Sequence, residues 1–302
     1  NAPIGESKPV PGPVKPLIAI PTTAGTGSET TGVAVFDFSS MHAKTAVASR
    51  ALRPTVGIID PINTLSMPAM VTAASALDVL SHAIESFTAI PYSHRAAPES
   101  PRMRPSYQGS NPISDMWSCK AMEMVAANLP IVLAEPNNLE ARGNMMLAAT
   151  YAGIGFGNAG VHLPHGMSYP IAGMVRDWRP EGYDVDHAIV PHGISVILTA
   201  PSVFRWTASS DPARHLESAR LLGADVSQAG AEDAGDVLAE RLIEIMKMTN
   251  MPNGLAEIGY GEADLDGLVK GTLPQHRVTK LSPRPAGEAE LRQLFIDSMS
   301  YW

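Results

Sequence analysis

A single cysteine, Cys119, in 302 residues excludes an intrachain disulfide and fits a reducing compartment. No run of ~18 uninterrupted apolar residues occurs, so no membrane-spanning helix is expected. Basic residues are in deficit: 22 Lys and Arg face 30 Asp and Glu, a net charge of −8. That acidity excludes general nucleic-acid binding, which needs a basic face, but leaves room for a small Arg/Lys cluster in a cleft. The small-residue loop Thr22–Glu29 is neither Gly-x-Gly-x-x-Gly nor Gly-x-x-x-x-Gly-Lys-Ser/Thr, so it meets neither standard nucleotide motif. Low-complexity tracts and internal repeats are missing too. Asn1-Ala2-Pro3 has no Met, basic region or apolar signal core, and the chain is expected to begin in the middle of a longer protein.

What is present suffices for a packed protein. With 45% hydrophobic and 17% charged residues the chain is not disordered, and its length suggests two domains. Leu17–Pro21 has strand character, and Thr55–Ile59 reads as a buried strand. Between them Gly32–Phe38 and Ala43–Ser49, joined by Ser39-Ser40-Met41-His42, predict a hairpin. After Pro68 the texture turns helical: 70–88, 114–128, 139–154, 212–222, 228–249, 262–270 and 286–300. The glycines 153, 155, 157 and 160 are expected to break the third of these helices. Residues 91–112 are irregular and Pro-rich. The expected organisation is an α/β piece over 1–64 followed by an all-α domain over 65–302.

Asp78 and His82 stand one helical turn apart, on one face of the helix over 70–88. An isolated pair of this kind is commonly a helix-face hydrogen bond. His165, in Leu163-Pro164-His165-Gly166-Met167, and His192, in Val190-Pro191-His192-Gly193, lie in apolar surroundings, where a lone His is commonly a bonded core residue. Together, three imidazoles and one carboxylate suit Zn(II) or Fe(II). From spacing alone the metal reading and the core reading both stay open. The loop Thr22-Thr23-Ala24-Gly25-Thr26-Gly27-Ser28-Glu29 can bring backbone N–H groups close to a phosphate, or can be an ordinary tight loop.

Five blocks taken in order resemble the iron-containing (group III) alcohol dehydrogenase family: Pro21–Glu29, Asp60-Pro61, Ala76–Glu85, His165-Gly166-Met167 and Pro191-His192-Gly193. Within it, Gly32–Asp37, Tyr107–Asp115, Gly153–Asn158 and Gly271–Gln275 resemble the hydroxyacid–oxoacid transhydrogenase branch. The resemblance implies a remnant of a Rossmann-like α/β domain followed by an all-helical metal-binding domain (dehydroquinate synthase-like). It implies Fe(II) or Zn(II) on Asp78, His82, His165 and His192. It also implies NAD or NADP on Thr22, Thr23, Ala24, Gly25, Thr26, Val35 and Lys44. The family's Gly-Gly-Gly-Ser pyrophosphate turn is not in this sequence, so a preceding segment is expected to be missing.

The implied reaction passes hydride from 4-hydroxybutyrate to 2-oxoglutarate. An NAD(P)-dependent alcohol or 4-hydroxybutyrate dehydrogenase is the rival enzyme, and a non-catalytic metal-binding protein the rival class. Tyr169 replaces a His that many members carry four residues after the His-Gly-Met histidine, and with His162 it is a candidate catalytic group. The acid substrates call for a cation in the cleft: Arg277 and Lys280 first, then Arg102 and Arg104. The resemblance further implies a homo-oligomer, in the bacterial cytoplasm or the mitochondrial matrix and not secreted, without nucleic-acid or membrane partners.

Overall fold

The computed structural model describes residues 8, 10–38, 43–101 and 104–302. Strands come first. β1 (Ile18–Ala19) pairs in parallel with β4 (Val56–Gly57), while β2 (Val33–Phe38) and β3 (Ala43–Ala48) form the antiparallel hairpin, with Val33 opposite Ala48 and Asp37 opposite Lys44. The expected hairpin turn, 39–42, lies outside the described residues. The expected burial of the Thr55–Ile59 strand is corrected: Val56 and Ile58 are nearly half exposed, and Ile18 on β1 is more than half exposed. No second layer covers these side chains in the described structure.

Helices make up the rest: α1 (Ala69–Thr88), α2 (Pro112–Ala134), α3 (Leu139–Ala159), α4 (Leu163–Gly173), α5 (His192–Ile197), α6 (Ala200–Thr207), α7 (Pro212–Leu221), α8 (Ala234–Met248), α9 (Leu265–Thr272), α10 (His276–Thr279) and α11 (Glu288–Asp297). α1 is buried around its whole circumference from Thr72 onward and is the central helix. Ala76, Leu77, Val79, Leu80, Ala83 and Ile84 are fully enclosed, and α2, α3, α5 and α7 pack around them. The starts of α2 and α3 are set locally. Asn111 and Asn138 each accept an amide hydrogen bond through Oδ1, from Ser114 at 3.1 Å and Ala141 at 3.0 Å, and Pro112 fills the first turn of α2.

Two helix boundaries differ from expectation. α2 runs on through Pro130 to Ala134; Pro130 forfeits one backbone bond near the helix end and the helix tolerates it. α3 continues through Gly153, Gly155 and Gly157 instead of breaking there. These glycines serve close packing. A Cβ on Gly153 would meet the side chain of Thr30 and the Gly27 carbonyl, and one on Gly155 would meet Ser118 Oγ at 2.7 Å. Gly160, at φ 93°, is where the helix ends. α4, which sequence periodicity did not disclose, begins at once, with Pro164 in its first turn.

Candidate metal centre

Because α1 is buried on all sides, its polar residues are buried too: Asp78 and His82 are each 3% exposed and Glu85 is fully enclosed. α4 returns over α1 and delivers His165, and α5 delivers His192 from its first residue. Asp78, His82, His165 and His192 each offer a ligand atom, all within 4.8 Å of one another. Asp78 Oδ1 lies 3.6 Å from His165 Nε2 and 3.7 Å from His192 Nε2. Tetrahedral donors at 2.0–2.2 Å from one ion would be about 3.4 Å apart, so this spacing leaves room for a cation. Asp78 Oδ1 is buried and has no hydrogen-bond partner, a costly state that a bound cation would relieve.

The charges agree with that fit. Burial opposes ionisation of Asp78, but His82, His192 and His165 outweigh it and hold the carboxyl well below its usual range. Glu85, resisted by burial and overcome by His165, is likewise ionised. Burial, reinforced by the neighbouring imidazoles, pushes His82 down to about 3 despite Asp78. For His165 burial is overcome by Glu85 and Asp78, which raise it to about 10. Two buried, ionised carboxylates thus face the imidazole cluster, a concentration of negative charge that attracts a cation.

Glu85 holds the arrangement. Its Oε1 accepts from the backbone amides of His162 at 2.9 Å and His165 at 3.1 Å, which open α4, and its Oε2 accepts from His165 Nδ1. With Nδ1–H so held, His165 turns Nε2 to the other ligands. Phe156 stacks on His82 with centroids 4.1 Å apart. Thr26 Oγ1, at the end of the small-residue loop, donates to Asp78 Oδ2 at 3.1 Å.

The cluster opens on a cavity of about 310 Å³. Its wall includes Thr26, Val35, Tyr107, Tyr169 and Arg277 with His82, His165 and His192. Residues 106–299 match the profile "Fe-containing alcohol dehydrogenase family, C-terminal", and residues 1–61 match "Iron-containing alcohol dehydrogenase". The chain belongs to the iron-containing alcohol dehydrogenase family. It is 57% identical over its whole length to the hydroxyacid-oxoacid transhydrogenase, mitochondrial, of Bos taurus, and spans 65% of that protein. Among solved structures it is similar to an alcohol dehydrogenase from Oenococcus oeni, at TM-score 0.82 and 26% identity, over 96% of this chain and 67% of that one. It is also similar to sulfoacetaldehyde reductase from Bifidobacterium kashiwanohense in complex with NAD+, at TM-score 0.74 and 29% identity, over 94% and 65%. This chain has the architecture expected from the sequence, a small α/β remnant joined to a helical domain, and matches these solved structures over nearly its whole length.

Within this family fold the other expected site residues separate. Thr22 and Thr23 are exposed, and Ala24 and Gly25 are buried. The strand position of Lys44 is defined, but its side chain lies outside the described set, and Arg102 lies outside the described residues altogether. Lys280 and Arg104 are exposed and are not on the cavity wall, which corrects their expected place. His162 is corrected likewise. It is fully buried beneath the site, 3.1 Å from Thr88 Oγ1 and edge-on to Phe204. Thr88 gives its own hydrogen to Ile84 O, so His162 Nε2–H donates to it and Nδ1 is left bare. Burial pushes His162 down to about 4, so it supports α4 as a neutral ring. Sequence reasoning assigned no role to Glu85 or Tyr107. The only available signal for Glu85 was its position two helical turns after Asp78.

Proposed function

We propose that the chain is the metal- and substrate-binding part of a hydroxyacid–oxoacid transhydrogenase. Hydride would pass from 4-hydroxybutyrate to 2-oxoglutarate through a nicotinamide dinucleotide, giving succinate semialdehyde and 2-hydroxyglutarate. The carrying observation is the convergence of Asp78, His82, His165 and His192 on a cavity that also takes Thr26 and Val35. The bovine relative's name supports the same reading.

Asp78, His82, His165 and His192 would hold the ion, and the set suits Fe(II) or Zn(II). A divalent cation there supplies Lewis acidity that favours loss of the substrate hydroxyl proton. The NAD+ complex of the Bifidobacterium reductase supports NAD as the dinucleotide. Thr22, Thr23, Ala24, Gly25 and Thr26 would meet it with backbone N–H and hydroxyl groups. Val35, half exposed on β2, offers the nicotinamide an apolar face, and Lys44 sits across the hairpin from Asp37. Glu85 keeps His165 in its ligating tautomer. The donor carbon gives up a hydride and its hydroxyl a proton; the acceptor's oxo carbon and oxygen take one of each. The mitochondrial relatives support the mitochondrial matrix as the compartment.

The test is a turnover experiment on metal-loaded protein with NAD and 4-hydroxybutyrate. A single burst of reduced nicotinamide per site, with no further change until 2-oxoglutarate is added, is expected. Steady accumulation of NADH without an oxoacid would make the protein a dehydrogenase. No hydride transfer with the metal bound would remove the enzyme reading.

A further inference from the structure

Arg277 is the only Lys or Arg among the described residues on the cavity wall, and no described Asp or Glu lies within ion-pair distance of it. Its guanidinium is held by two phenols instead. Nη1 donates to Tyr107 Oη at 3.1 Å and Nη2 to Tyr169 Oη at 2.8 Å, while the group also lies over the Tyr107 ring, 5.4 Å from the centroid. Each phenol oxygen is an acceptor in these bonds, so each keeps its own O–H hydrogen free to donate. The free donors are the remaining guanidinium N–H groups and two O–H groups. Such a set matches a carboxylate, and a hydroxyl or an ammonium poorly.

The group is fixed relative to the metal ligands. Tyr169 stands one helical turn after His165 on α4. Tyr107 is buried, with its carbonyl bound by Arg95 Nη1 at 2.7 Å and the neighbouring Gly109 amide bonded to Ala159 O at 2.9 Å.

We propose that Arg277, Tyr107 and Tyr169 form a receptor for the substrate's distal carboxylate, and that its fixed distance from the metal ligands acts as a ruler for chain length. This rests on the transhydrogenase reading above. In 4-hydroxybutyrate the reacting carbon is three bonds from the carboxylate carbon. In 2-oxoglutarate the oxo carbon is three bonds from the distal carboxylate carbon. One receptor therefore places both reacting carbons at the same spot before one nicotinamide, and the second carboxylate of the oxoacid replaces only a hydrogen of the primary alcohol. Tyr169 thereby anchors substrate and is not the proton relay.

The experiment uses metal-loaded protein and two homologous series. The donors are 3-hydroxypropanoate, 4-hydroxybutyrate and 5-hydroxypentanoate; the acceptors are oxaloacetate, 2-oxoglutarate and 2-oxoadipate. Both series should peak at the middle member. Arg277→Met should flatten both preferences, raising KM for the middle members by ~10-fold or more, as expected for loss of a charge-assisted bond. Calorimetric binding of glutarate, which cannot react, should weaken in parallel. Unchanged preferences and glutarate affinity in a folded Arg277→Met would overturn the receptor even while hydride transfer proceeds. Glutarate binding that depends on Arg277 in a protein that transfers no hydride would keep the receptor and remove the transhydrogenase reading. If Arg277→Met does not fold, Tyr107→Phe deletes one donor and should weaken glutarate; unchanged affinity there overturns the proposal.

Discussion

Replacing Glu85 with Gln keeps the shape of the side chain and exchanges one acceptor oxygen for an NH₂. In the native arrangement Oε1 takes the two amides that open α4, and Oε2 takes His165 Nδ1–H. If the Gln carbonyl keeps the amides, its NH₂ faces Nδ1, which must then be an acceptor. The imidazole proton is forced onto Nε2, the atom that lies 3.6 Å from Asp78 Oδ1 and is needed as a ligand. If the amide turns over, two backbone N–H groups confront an NH₂ in a fully enclosed site, which is worse. Loss of such an outer carboxylate weakens metal affinity by about 10–100-fold, or roughly 1.4–2.7 kcal/mol. Competition against a chromophoric chelator at neutral pH measures this, with Zn(II) as the probe. Thermal melting of the metal-free protein should also fall, by the weakening of two charge-assisted amide bonds, on the order of 1–3 kcal/mol. Zn(II) affinity equal to that of the unaltered protein in a folded Glu85→Gln would refute the tautomer argument.

Two further perturbations test the frame around the site. His162 is held neutral by burial, at about 4 in the folded chain against about 6.5 unfolded. Above pH 6.5 both states are neutral and nothing is lost; as pH falls from 6.5 to about 4 only the unfolded chain takes the proton, so stability drops by roughly 3 kcal/mol. Denaturant titrations of the original chain and His162→Asn should therefore differ in slope against pH across that window, and parallel profiles would count against it. Gly153→Ala adds a methyl 2.9 Å from the Gly27 carbonyl and against Thr30. The clash, about 1–3 kcal/mol, outweighs the ~1 kcal/mol gain in helix propensity, so the melting temperature should fall.

Spacing alone left Asp78, His82, His165 and His192 open between a core and a metal reading; the resemblance of their blocks to the family singled them out, and folding brings the four together. The hairpin was legible for a local reason: alternating β-favouring runs around a turn. What escaped depends on contacts between distant segments. Glu85 gains its role only when α4 lays two amides and an imidazole against it. Tyr107 belongs to an irregular stretch whose place is fixed by Arg95 and Ala159, so no periodicity points to it. The glycines of α3 look like breakers until the turn at Gly27–Thr30 is seen pressed against Gly153, and α2, through Ser118, against Gly155. His162 was drawn toward the cleft by its nearness to His165 in sequence, but α4 begins between the two and leaves it underneath.

α1 carries Asp78, His82 and Glu85 on the helix that all the central packing surrounds, while their partners arrive from α4 and α5, far downstream in the chain. The site therefore has no local precursor. A partly folded chain with α1 formed but α4 and α5 undocked holds an Asp-His pair without His165 and His192 and without the carboxylate–imidazole contact. On the proposed reading, ion capture would require α4 and α5 to have docked, and its affinity would contribute to the free energy of the completed fold. A lesion in the packing of these three helices would then be expected to lower metal content before it lowers helix content, which makes metal content a reporter of whether the core has closed.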